Sequence, residues 1–137
     1  MGQQQLLLIV LSTIIVGISI AVGINMVTTS AGRANQDAGM QGILTLSERA
    51  RDWYRKPVLA GGGGNSFVAL ATGTDMTAQL TWPATTEDGT YSIQTAGTAT
   101  QVVFRFVGVE DQDGDAVNVT IDATVTRDGV TTAITNR

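Results

Sequence analysis

The 137 residues leave room for one compact domain plus an extended element, and not for two full domains. Neither Cys nor His is present, which removes disulfides, thiolate metal sites, Ser-His and Cys-His nucleophile pairs and the commonest general base, so no catalytic residue is assigned and an enzyme is not expected. A net charge of -4, with Lys56 the sole lysine, argues against nucleic acid as a partner, because phosphate binding needs clustered Lys and Arg.

Residues 1–5 (MGQQQ) form a short polar lead-in without a basic residue. Residues 6–27 (LLLIVLSTIIVGISIAVGINMV) carry no charge and are long enough to cross a hydrocarbon layer about 30 Å thick as one helix. A secretory signal wants a charged start and a shorter apolar core, so this block is expected to remain in the working protein. It must be buried, either in a bilayer or among copies of itself. Thr13, Gly17 and Ala21 recur every four residues and make a stripe of small side chains on one helix face, where a second helix can approach closely. Ser12, Ser19 and Gly23 widen the choice of contact face. A plain membrane anchor, in which Gly is simply commoner than in soluble helices, is the competing reading.

Residues 28–41 are small and polar and make a mediocre helix by propensity, with Gly32 and Gly39 as places where it could break into a tether. Beyond them the helical period returns. Ile43, Leu46, Ala50 and Trp53 fall on one face, with Leu44 and Tyr54 beside them. Glu48 with Arg51 and Asp52 with Lys56 stand at contact spacing on the other. Pro57 disfavours helix at the residue before it. An unbroken helix over residues 3–56 would be about 80 Å long. Its apolar part, residues 6–27, would be covered by lipid or other copies. In its amphipathic part, residues 28–56, the stripe Ile43, Leu46, Ala50 and Trp53 would pack on a head domain.

Residues 57–66, with four consecutive Gly, read as a flexible linker; no Lys-Ser or Lys-Thr follows to make a phosphate loop. Residues 67–137 are β in character. Runs at 67–72, 77–82, 90–95, 101–109, 116–126 and 130–135 are rich in Thr and Val and separated by turn residues. In the fifth, Val117, Val119, Ile121, Ala123 and Val125 are expected to face inward and Asn118 outward. Asp88-Gly89, Asp113-Gly114 and Asp128-Gly129 are hairpin signals. The fold class is therefore α+β: a long N-terminal hydrophobic and amphipathic helix and a C-terminal antiparallel β-sheet head.

Three features bear on ligands. Asp111, Asp113 and Asp115 stand at alternate positions around a Gly, as a hard cation would use them, but the pattern lacks EF-hand spacing and an acidic hairpin turn accounts for every residue; no metal and no cofactor are assigned. Asn118-Val119-Thr120 matches the N-glycosylation acceptor pattern. Arg49, Arg51, Arg55 and Lys56 form a basic cluster on the helix. Between Arg33 and Lys56 five bases face three acids, whereas from Pro57 onward three bases face nine acids, an imbalance that favours side-by-side assembly at low salt.

A Gly2 just before a charge-free helical block, an amphipathic continuation and a β-rich head together resemble a type IV pilin-like filament subunit. The likeness in sequence is confined to the apolar start of the chain. The resemblance implies cleavage after Gly2 by a prepilin peptidase, helices packed into a filament core, and heads forming its outer surface. It also implies a homopolymer of this chain, membrane insertion before assembly, contact with pilus assembly machinery, and a cell-surface filament. Three features depart from the family. Leu7 stands where the family places a glutamate near the mature N-terminus, only Met1 precedes Gly2 here where the family usually has a basic leader, and no Cys is available for the disulfide loop of bacterial heads. An all-β head resembles archaeal pilins more closely. A single-pass membrane protein whose β domain binds a ligand, cation or partner is the alternative, and a minor pilin-like component of a secretion machine is a third reading.

Overall fold

The computed structural model describes residues 2–137; Met1, the start of the expected polar lead-in, lies outside the described residues. One helix, α1, runs unbroken over Gly2–Arg55, and at the usual rise its 54 residues span about 80 Å. The weak middle does not break, because it is held from the side. From Gly32 onward α1 lies across one face of a four-stranded sheet, over its two central strands, and Gly32, Asn35 and Gly39 are buried there along with Ile43, Leu46, Ala50, Trp53 and Tyr54.

The Gly-rich stretch expected as a flexible linker is instead the helix's C-terminal cap. After a single 3-10 turn at Val58–Ala60 the chain doubles back. The N–H groups of Gly63, Gly64 and Asn65 donate to the carbonyls of Trp53, Lys56 and Tyr54 at 2.8, 2.9 and 2.7 Å. These carbonyls belong to or adjoin the last helical turn, which has no partners within the helix. Gly63 also lies so close to the Trp53 ring and the Ser66 carbonyl that a β-carbon would collide with both. Gly is required here by proximity, not by looseness.

The first two expected strands are not strands. Residues 67–72 form a turn whose N–H of Leu70 donates to the carbonyl of Phe67 at 2.8 Å, and Phe67 and Leu70 are fully buried. The run expected at 77–82 is a short helix, α2, Met76–Leu80. Asp75 caps it by accepting from the Thr77 N–H at 2.9 Å, an N-cap interaction that satisfies an otherwise orphaned donor. Met76 and Leu80, four apart, are its buried residues. The expected strand starts at Thr77 and leaves out Met76, without which the helical spacing is invisible.

The remaining runs make an antiparallel meander of β1 Gly89–Thr95, β2 Gln101–Gly108, β3 Thr120–Thr126 and β4 Val130–Asn136, in that order across the sheet. Phe104 pairs with Ala123 and Phe106 with Ile121, so the inner face is continuous and apolar. Alternation holds in β3 from Val119 to Val125 but not at Val117, which is half exposed; the strand begins at Thr120, after Ala116 takes a left-handed φ of 66°. Asp128-Gly129 sits in the β3–β4 turn, closed by Thr126 N–H donating to Gly129 O at 2.9 Å. Asp88-Gly89 closes a turn just ahead of β1, tied by the isolated bridge between Thr85 and Thr90. Asp113-Gly114 belongs to a longer loop over residues 109–119, not to a tight hairpin.

Candidate functional site

Among the described residues, nothing in the chain buries the apolar half of α1. Its fifteen large apolar side chains from Leu6 to Val27 are exposed by between 49% (Leu11) and 70% (Val27). Returning them to a covered state is worth on the order of 20 kcal/mol at the usual apolar area coefficient, more than a domain's whole stability, so an uncovered helix in water is not a working state. Mean hydropathy over an 18-residue window reaches 2.8: this is a helix long and apolar enough to cross a membrane.

Thr13, Gly17, Ala21 and Gly23 all lie on this uncovered half. A β-carbon added at Gly17 or Gly23 would meet nothing within 4 Å, and Ser12, Thr13, Val16, Gly17 and Ile20 border a shallow groove. The hydroxyls in the segment turn back onto their own helix: Ser12 donates to Leu8 O at 2.7 Å, Thr13 to Val10 O at 2.7 Å and Ser19 to Ile15 O at 2.8 Å. Their donors are satisfied, so this face can meet lipid or another helix without stranding a polar group. Gly2 opens the helix, likewise with nothing within 4 Å.

The other half of α1 is built into the head. Ile43, Leu46 and Ala50 are fully buried and Trp53 nearly so, against Phe104, Phe106, Ile121 and Ala123 of the sheet. The expected stripe starts at Ile43, whereas the packed face starts at Gly32: Gly32, Asn35, Gly39, Ile43, Leu46, Ala50 and Trp53 follow a three-then-four spacing that the small and polar members hide in the sequence. Asn35 is the main polar link. Its amide nitrogen donates to Asp88 O at 2.6 Å and its oxygen accepts from Val109 N–H at 3.2 Å, which ties the helix to the start of β1 and the end of β2.

The expected basic cluster is divided by use. Arg49 leaves it, donating to Thr81 O at 2.6 Å with its guanidinium 5.3 Å from the Trp82 ring centre. Arg51 pairs with Glu48 at 3.0 Å. The expected Asp52–Lys56 pair does not form among the described residues, and Arg55 and Lys56 are exposed at the helix end. On the outer face of the sheet Arg105 makes a two-point contact with Asp122 at 2.7 and 2.8 Å, and Thr135 donates to the same carboxylate at 3.1 Å. The Arg105 guanidinium holds the Asp122 carboxyl below its usual range.

Asp111, Asp113 and Asp115 do converge, with carboxylate oxygens within 4.8 Å of one another. Asp111 accepts from the N–H groups of Gly114, Ala116 and Asp113 at 2.7, 2.8 and 3.1 Å, which lowers its pKa. Asp115 accepts from Val117 N–H at 2.8 Å. The acids thus organise their own loop, and no metal is assigned to them. Asn118 does not stand clear of the surface as expected: it is half-buried, and its amide nitrogen, the atom that would carry a sugar, donates to Gly108 O at 2.9 Å.

The arrangement is one continuous helix whose apolar half is exposed and whose other half is packed into the core of the head. Compared with known proteins, the chain matches no protein-family profile, no curated protein and no solved structure.

Proposed function

We propose that this chain is a structural subunit of an extracellular filament, pilin-like in architecture, which sits in a membrane by the apolar half of α1 and polymerises by exchanging lipid for the same half of neighbouring copies. One observation carries the reading: a single unbroken helix has one half wholly exposed and the other built into the head's core. A plain anchor needs only about 20 apolar residues and tolerates any hinge before its domain. Here the helix enters the head without a break, so the position of each helix fixes the position of its head, as a helical lattice requires. Lipid tails are as apolar as Leu, so leaving the bilayer gains little from hydrophobicity and rests on close packing; Thr13, Gly17 and Ala21, with Gly23 nearby, supply the small surface for it. The reading assigns no catalysis and no cofactor.

Electron microscopy and mass spectrometry of material sheared from the producing cells test the proposal. Thin filaments containing this chain are expected, and Gly17→Leu should abolish them while leaving the subunit in the membrane. Detergent-solubilised protein that is monodisperse, with no filaments on the cells, would favour the membrane-anchored binding protein instead.

A further inference from the structure

The filament reading leaves unused the way charge is sorted along the head. Where α1 enters, six carboxylates gather: Glu87 and Asp88 in the turn ahead of β1, and Glu110, Asp111, Asp113 and Asp115 in the 109–119 loop. Their place is fixed by Asn35, which holds Asp88 O at 2.6 Å, and by Gln112, whose Cα would lie 2.7 Å from a β-carbon on Gly32. Arg55 and Lys56 lie at the opposite end of the head, more than twenty helical residues further on, which is about 35 Å at the usual rise. Neither belongs to an ion pair among the described residues. Glu110 and Asp113 are likewise exposed and without a cationic partner there. Arg33 and Arg137, the latter next to Asn136 whose amide donates to Asp115, offset part of the acidic end, and exposed Asp52 offsets part of the basic end; the excess charge left at the two ends is opposite in sign.

We infer that the acidic loop of one copy docks on the Arg55–Lys56 helix end of the next copy along the filament axis. The inference rests on the filament reading and adds a head-to-tail contact that the apolar helices do not supply. Copies aligned in parallel by their helices all present the acidic end toward the apolar half and the basic end away from it. Stacking them along the axis therefore brings opposite charges together with no further component. Such a contact uses different patches on the two partners, so it propagates instead of closing into a dimer. It relieves the mutual repulsion of the clustered carboxylates and sets the axial register by charge. Because both surfaces are exposed, it weakens as salt rises.

Lys56, the sole lysine, makes the test direct. Native filaments treated with a zero-length carbodiimide, which condenses a carboxylate with an amine, should give a ladder of covalent oligomers. Mass spectrometry should find Lys56 joined to Glu110 or Asp113, a link that one chain cannot make across its own head. Lys56→Arg should keep the filaments and lose the ladder. Arg55→Glu with Lys56→Glu should lose filaments at physiological ionic strength, and adding Glu110→Lys with Asp113→Lys should restore them. Wild-type filaments that give no such link, together with charge-reversed chains that assemble normally, would overturn the docking while leaving the filament reading intact. Absence of wild-type filaments would overturn both.

Discussion

Gly39 lies directly against the ring of Phe106, so close that a β-carbon on it would overlap three ring atoms. One turn on, Gly42 stands in the same relation to the Tyr91 hydroxyl. Gly39 and Gly42, both unfavourable in a helix by propensity, are thus places where the sheet's aromatic side chains reach the helix backbone. Tyr91 and Phe106 pack at a tilt with ring centres 5.0 Å apart and Trp82 meets Tyr91 edge-on at 5.3 Å, so Tyr91 cannot move aside without disturbing two other rings.

The contrast between Gly39 and Gly17 is testable in one experiment. Gly39→Leu should destabilise the detergent-solubilised subunit by about 1–3 kcal/mol or more, the usual range for overpacking a filled core. Gly17→Leu meets open space and should leave the melting temperature of the same subunit unchanged or slightly raised, since Gly costs a helix about 1 kcal/mol. Thermal denaturation followed by near-UV circular dichroism reads both. A subunit melt lowered equally by the two changes would contradict the division of α1 into a free half and a packed half.

Asn35→Leu removes the acceptor for Val109 N–H and the donor for Asp88 O while keeping a similar side-chain volume. Leaving these part-buried backbone groups unpaired should cost about 1 kcal/mol. Hydrogen exchange should quicken at Val109, whose amide loses its partner, and stay unchanged at Ile121 in the core of β3.

Gly63→Ala tests the cap. A flexible linker would tolerate the change, and the lower entropy of the unfolded chain would even stabilise the protein slightly. Crowded by Trp53 and Ser66, the alanine should instead cost about 1–3 kcal/mol and shift the Trp53 fluorescence. Gly61, whose φ of 78° is left-handed but whose surroundings are open, should respond to Ala through backbone strain alone.

The Arg105–Asp122 pair predicts an acid limb. The Asp122 carboxyl is held below its ordinary value by Arg105, so the folded chain binds its proton less readily than the unfolded chain. Its stabilising contribution is complete above the unfolded value of about 4 and disappears as pH falls through the lower folded value. Asp111, held low by the N–H of Gly114, acts in the same direction. Melting temperature should therefore fall more steeply below about pH 4 in the wild-type chain than in Asp122→Asn, which has already lost the charged pair at neutral pH. Parallel curves for the two would rule out this source of acid sensitivity.

The amino-acid sequence by itself determined the features whose cause is local. A charge-free run makes residues 6–27 a helix that must be covered, Pro57 stops that helix, and period-two alternation marks the core-facing residues of β2 and β3. The α+β class and the antiparallel head follow from these patterns. Only the tertiary structure decided the features whose cause lies far along the chain. Gly32, Asn35 and Gly39 read as a weak helix until Gln112, Asp88 and Phe106 are placed beside them. Four glycines read as slack until the last carbonyls of α1 are seen to need donors. The sorting of acids and bases could not be read as helix against head, because folding brings the turn that holds Asp88 to the start of the 109–119 loop through Asn35 and Arg127 near Tyr54, by end and not by element. Hydrophobic period reports which side of an element is covered; what covers it, and how closely, depends on a contact between residues that the linear order keeps apart.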